Sequence, residues 1–143
     1  MTTETSFRIE QITHQLTWQI RQEVMWPEEP LEFVQLEEDP MGLHYGLFDQ
    51  NRLWSVVSVF IKNGSAQFRK FATRSEMQGK GYGTALLNYL IADLKTFEVN
   101  RIWCNARLDK VPFYQKFGFT STNQTFTKKG ISYVIMELLM TGN

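Results

Sequence analysis

The sequence predicts an α/β domain built on a mixed, mainly antiparallel twisted sheet with flanking helices. Three observations carry that expectation. Turn residues at Asp49-Gln50-Asn51 and at Asn63-Gly64 separate strand-like runs, so the middle of the chain reads as consecutive hairpins. Between those turns, Leu53, Val57, Val59 and Ile61 share one strand face and Trp54, Val56 and Phe60 the other, which marks a central strand covered on both sides. Further on, a strand ending at Thr73, a glycine-rich turn, a helical run to Leu94 and a strand at Val99–Cys104 imply a parallel crossover, normally right-handed.

Each element has its own signal. Phe7–Ile12 alternates weakly and reads as a first or edge strand. Leu16, Ile20, Glu23 and Val24 recur at helical spacing, with Ile20 and Val24 as the inner stripe; Thr13 or His14 precedes the first turn and Pro27 ends the pattern. Trp18, Arg21, Met25 and Trp26 form a mixed polar and aromatic surface, for packing beneath a short helix or for lining a substrate entrance. Leu31–Leu36 reads as that short helix, between the acidic stretches Glu28-Glu29 and Glu37-Glu38-Asp39. The second stretch is either a solvated loop or an attractor for a cationic amine. Gly42–Phe48 and Gln67–Thr73 flank the central strand on either side in sequence. Tyr82, Leu86, Tyr89, Leu90 and Leu94 make the buried stripe of the long helix, widened by Leu87 and Ile91. Asp109 is placed to cap a short helix running to Phe117, with Pro112 in its first turn and Gly118 as its stop. Phe119–Phe126 and Ile131–Leu139 are the last strands, joined by Lys128-Lys129-Gly130.

A chain of 143 residues with 43% hydrophobic content suits one domain spanning residues 1–143. Fifteen basic and fifteen acidic side chains balance, so no global field favours nucleic acid or a membrane surface. Cys104 is the lone cysteine, which excludes an intramolecular disulfide and points to a reducing cytoplasm. The first six residues carry no basic or apolar targeting pattern, and no apolar run reaches membrane-spanning length. His14 and His44 lack metal-ligand spacing, so no metal site is expected. Cys104, in an apolar strand pattern with no neighbouring His, reads as core packing and not as a nucleophile. Exposed aromatics and the last strands leave a homodimer open.

The chemistry concentrates at Gln78-Gly79-Lys80-Gly81-Tyr82-Gly83-Thr84. Three alternating glycines at a helix start let backbone amides face a ligand, and the helix dipole favours an anion there. The spacing matches neither a Walker loop nor the dinucleotide fingerprint, whose third Gly is replaced by Thr84.

Two separated segments carry a family resemblance. Gln78-Gly79-Lys80-Gly81-Tyr82-Gly83 resembles the Gln/Arg-x-x-Gly-x-Gly/Ala pyrophosphate motif of the Gcn5-related N-acetyltransferases. Val111-Pro112-Phe113-Tyr114-Gln115-Lys116-Phe117-Gly118-Phe119 resembles that family's later Phe-Tyr-x-Lys-x-Gly-Phe segment. Lys70-Phe71-Ala72-Thr73 and Ala106-Arg107 look nearest to the small bacterial ElaA-like group. The resemblance implies a V-shaped split between strands four and five (the acyl-CoA N-acyltransferase fold), with acetyl-CoA as cosubstrate. It implies pantetheine contacts along the backbone of Phe71, Ala72 and Thr73, and a pyrophosphate cradle from Gln78, Gly79, Lys80, Gly81, Gly83 and Thr84. Tyr114 matches the tyrosine that protonates the leaving thiolate in this family; its alternative is a core tyrosine between Phe113 and Phe117. The implied activity is direct acetyl transfer to a primary amine of a small molecule or peptide, or else non-catalytic acyl-CoA sensing. Three departures stand out. Ser75 replaces a common Pro, and Arg107 replaces a common Asn, leaving it to bind a CoA phosphate, a substrate carboxylate or an acidic neighbour. Tyr133 stands where ElaA-like chains often carry His. Glu76, His44 and Glu137 are the candidate bases, with a water chain as the alternative.

Overall fold

The computed structural model describes residues 7–140, so the reading of the first six residues lies outside the described part. Strands join in the order β1-β2-β3-β4-β5-β7-β6, a mixed, mainly antiparallel sheet with flanking helices. The chain forms two compact units. One holds the described residues up to Val59 together with Lys70–Leu90, and the other holds Phe60–Arg69 with residues 91–140.

In the first unit, β1 (Phe7–Ile12) pairs antiparallel with β2 (Leu43–Asp49), from Phe7 opposite Asp49 to Ile12 opposite His44. β2 pairs antiparallel with β3 (Arg52–Lys62), with an irregularity between Leu47 and Phe48. Gln50 and Asn51, at φ 53° and 64°, are both left-handed, as a two-residue turn matching the twist of its strands requires. Residues 54–59 of β3 are buried without a break, as its two apolar faces predict. α1 (Gln15–Met25) sets Ile20 against Val56 and Ala72, with Ile12, Val24, Met25 and Leu53 around them. Ile20 and Val24 form the inner stripe as the spacing predicts, but the flanking residues differ. Leu16 is exposed, whereas Thr17 and Arg21 are fully buried beside Ile20. The short helix after α1 is a 3₁₀ turn over Leu31–Val34, and a second covers Asp39–Met41.

The helix after the glycine turn, α2, runs Tyr82–Leu94. Tyr82, Leu86, Leu87, Leu90 and Leu94 are buried, each contributing about 2 kcal/mol through removal from water. Tyr89 is exposed, with one ring edge on Tyr45, so Leu87 takes its place in the stripe.

In the second unit, β4 (Ser65–Thr73) enters through Asn63 and Gly64, both left-handed. Its parallel ladder to β5 (Arg101–Arg107) has three pairs, from Ser65 opposite Arg101 to Gln67 opposite Trp103. Both strands continue past those pairs within the unit, through Phe68 and Arg69 on β4 and from Cys104 to Arg107 on β5. β5 pairs antiparallel with β7 (Ile131–Leu139), and β7 with β6 (Thr120–Lys128), which is interrupted between Ser121 and Thr125. Ile102, Cys104, Ala106, Val134 and Met136 are buried with Ala66, Phe68 and Phe119. α3 is five residues, Val111–Gln115, with Pro112 in its first turn and Gly118 (φ 97°) as its stop. Asp109 is not its cap. Lys110 holds the cap position without a side-chain hydrogen bond, and the Asp109 carboxylate lies 3.6 Å from Arg107 instead.

Among the described residues no helix is long and apolar enough to cross a membrane. No three His, Cys, Asp or Glu side chains among them gather as a metal-ligand set.

Candidate active site

The turn between β4 and α2 is held by its own backbone. After Thr73 the chain makes a 3₁₀ turn over Ser75–Met77, closed by Met77 N–H to Arg74 O at 2.9 Å. The Gln78 side-chain amide donates back to Thr73 O at 2.9 Å, tying the motif's first residue to the strand end. Gly79 and Gly81 then adopt φ 81° and 83°, a conformation that costs an L side chain about 1–2 kcal/mol. Nothing lies within 4 Å of where a Cβ would sit at either residue, so the space above the turn is open. Gly83 differs. Its φ is not left-handed, and an added Cβ would rest 3.4 Å from the Phe71 ring. Two of the three glycines serve the turn, whereas at the third a Cβ would make only ordinary contact with the Phe71 ring.

The Ala85 N–H to Gly81 O bond, at 3.0 Å, opens α2. The N–H groups of Tyr82, Gly83 and Thr84 precede it and have no acceptor in the helix, which leaves donors at the positive end of the helix dipole. Lys80 and Thr84 are exposed beside them. Tyr82 fixes the helix start by donating its hydroxyl proton to Asp49, whose hydrogen bond, with burial, raises the tyrosine pKa. This arrangement fits a pyrophosphate: oriented donors, a cation and no side chain in the way.

The strand segment Phe71–Thr73 divides by parity. Arg74 N–H donates to Trp54 O at 2.9 Å, and Ser55 Oγ donates to Ala72 O at 3.2 Å. Residues 72 and 74 therefore turn their backbone groups toward β3, while Phe71 and Thr73 turn theirs the other way. Ser55 Oγ also meets Thr73 Oγ1 at 2.8 Å. Of the three predicted pantetheine contacts, Phe71 and Thr73 are the ones on the edge away from β3.

In the second unit Tyr114 sits within an aromatic set, with ring centroids 5.2 Å from Phe113, 5.7 Å from Phe68 and 6.2 Å from Phe119. Among the described residues its hydroxyl has no hydrogen-bond partner. Burial, with nearby Cys104, pushes its pKa well above the usual phenol value. The phenol thus keeps its proton at neutral pH. Burial also raises the Cys104 thiol to about 12, which removes it as a nucleophile.

The candidate bases separate. His44 is buried, with Nδ1 2.7 Å from Ser58 Oγ and Nε2 2.8 Å from the Asp39 carbonyl. A carbonyl only accepts, so Nε2 carries the proton and Nδ1 accepts from Ser58. Burial lowers the His44 pKa, in keeping with this neutral form. Glu137 is paired with Arg101 at 2.6 Å. Glu76, exposed in the 3₁₀ turn, has no partner among the described residues.

The acidic clue at Asp39 also dissolves. Arg21 donates to Asp39 Oδ2 at 2.8 Å and to Oδ1 at 2.9 Å, while Trp18 Nε1 and Leu36 N–H donate to Oδ2. Arg21 also reaches Ser58 Oγ and Val34 O. This buried network was not legible as such. The spacing put Arg21 on the mixed polar and aromatic surface, and only the fold sets it fully buried beside Ile20.

An open glycine turn at a helix N-terminus, after a strand edge, defines a site suited to an anionic phosphate group. The acetyltransferase (GNAT) domain family matches residues 11–140, and the chain belongs to that family. A Bacillus subtilis relative, the uncharacterized N-acetyltransferase YitI, is 25% identical over 130 residues, 84% of this chain and 87% of its own. Among solved structures, an N-acetyltransferase from Lactobacillus plantarum superposes with a TM-score of 0.84 at 16% identity, covering 96% of this chain and 100% of that one. A GNAT acetyltransferase from Elizabethkingia anophelis, solved with acetyl-CoA bound, gives 0.75 at 15% identity, with coverage of 96% and 100%. Escherichia coli ElaA gives 0.79 at 16%, with coverage of 92% and 98%; it is one of several comparable matches, so the ElaA-like group is not singled out.

Proposed function

We propose that this protein transfers the acetyl group of acetyl-CoA to a primary amine by direct attack, in the cytoplasm. The observation that carries the reading is the turn in which left-handed Gly79 and Gly81 leave open space before the first N–H groups of α2, which have no acceptor within the helix. Gln78, Gly79, Lys80, Gly81, Gly83 and Thr84 hold the pyrophosphate, and the backbone edge of Phe71 and Thr73 takes the amide-like pantetheine arm, as an added strand would. The Thr73 N–H faces the thioester oxygen and stabilises the charge that develops there. The amine nitrogen bonds to the thioester carbon and the C–S bond breaks. Tyr114 gives its proton to the departing thiolate, and the ammonium proton leaves through water to Glu76.

Calorimetric titration with acetyl-CoA, desulfo-CoA and NAD checks the first part: the CoA compounds bind and NAD does not. Screening amines for release of free CoA, with a mass gain of one acetyl group, checks the second. Tight NAD binding without CoA binding would sink the assignment. The sensor reading draws on the loss of His44 and Glu137 as bases, and it gains if CoA binds while a broad amine panel gives no turnover.

A further inference from the structure

One row of side chains in the second unit has no part in the reaction described above. The β5–β7 register sets Arg107 opposite Tyr133, and the β6–β7 register sets Tyr133 opposite Phe126. Directly opposed residues share a face, so the three form one line across the sheet. The Phe126 and Tyr133 rings stack at 5.1 Å with 13° between their planes. Two residues along, on the same face, Ile131 stands opposite Lys128. An aromatic and aliphatic platform is thus flanked by a guanidinium at one side and an ammonium at the other. Phe126 and Ile131 remain exposed, unlike the buried Val134 and Met136 of the opposite face. Phe126 and Tyr133 also border a hollow of about 420 Å³ with Leu108, Thr125, Thr127 and Ser132, a size suited to a metabolite.

Arg107 already shows which group it takes. Among the described residues its one ion pair, to Asp109 at 3.6 Å, joins two side chains that are 54% and 65% exposed, a loose contact open to exchange. A planar guanidinium matches a carboxylate with two parallel hydrogen bonds, and a flat apolar body suits stacked rings. Cations at both ends of the platform oppose a polyamine. The CoA phosphates have their own donors at the head of α2.

We propose that this row seats an aromatic carboxylic acid, with its ring on Tyr133 and Phe126 and its carboxylate on Arg107. The acceptor amine is then that of an aromatic amino acid. The acceptor role rests on the acetyl-transfer reading; the binding itself does not.

The test uses the full chain and two probes, N-acetyl-L-phenylalanine and N-acetyl-L-phenylalaninamide. Titration with NMR detection of the Tyr133 and Phe126 rings should show the acid binding at least tenfold more tightly than the amide. Arg107→Gln should erase that preference, and Arg107→Lys should restore part of it. Equal binding of acid and amide, a preference that survives Arg107→Gln, or unmoved ring signals would each overturn the site. A matching loss of acetyl-CoA affinity in Arg107→Gln would reassign Arg107 to CoA and overturn the proposal while leaving acetyl transfer intact. L-phenylalanine that binds but accepts no acetyl group, where another amine does, would overturn the acceptor role alone.

Discussion

Replacing Asp39 by Asn tests how the first unit is held together. Burial alone would push the Asp39 carboxyl up, but hydrogen bonds from Arg21, Leu36 and Trp18 and the Arg21 charge outweigh it, leaving about 2 in place of 3.8. A depressed carboxyl pKa contributes stability that is fully present above 3.8 and lost as pH falls toward 2. The difference corresponds to roughly 2 kcal/mol at pH 7. Asn adds a second cost. Its oxygen can keep the three donors now on Oδ2, but its NH₂ would then face Arg21 Nη2, donor against donor. Arg21 would stay buried with an incomplete partner, a situation that costs about 3–5 kcal/mol when a buried pair is broken. Urea denaturation at pH 7 should therefore show Asp39→Asn less stable by about 3 kcal/mol or more. The gap to the parent protein should narrow by roughly 2 kcal/mol between pH 3.8 and 2. A loss under about 1 kcal/mol at pH 7, or a gap independent of pH, would refute the reasoning.

Tyr114→Phe keeps the contacts to Phe68, Phe113 and Phe119 and deletes one proton. Single-turnover acetyl transfer should slow roughly 100- to 10,000-fold, with unfolding and acetyl-CoA affinity almost unchanged. Gly81→Ala should cost about 1–2 kcal/mol from backbone strain and weaken acetyl-CoA in calorimetry, whereas Gly83→Ala, free of that strain, should change thermal stability much less. Cys104, with its thiol at about 12 and its side chain buried, should resist maleimide at pH 7 until denaturant opens the core; labelling at the rate of a free thiol would contradict this.

Local chemistry made much of this protein legible in its sequence. Asn63-Gly64 announced a hairpin because both residues tolerate the left-handed backbone that such a turn needs, and both adopt it. The strand over Ile131–Leu139 was legible too, and because period two follows from strand geometry alone, its alternate residues Val134 and Met136 lie in the core. Gly79 and Gly81 pointed to an open turn for the same kind of reason. Tertiary structure decided what depends on partners distant in sequence. Arg21 reads as a surface charge until Asp39 and Ser58, contributed by a 3₁₀ turn and by β3, meet it. His44 reads as a base until Ser58 and the Asp39 carbonyl occupy both its nitrogens. Leu16 and Tyr89 fit the helical spacing yet are exposed, because which of two adjacent helix stripes is buried depends on what packs against it. Backbone geometry is dictated residue by residue, whereas the protonation and burial of a polar side chain belong to the company it keeps after folding.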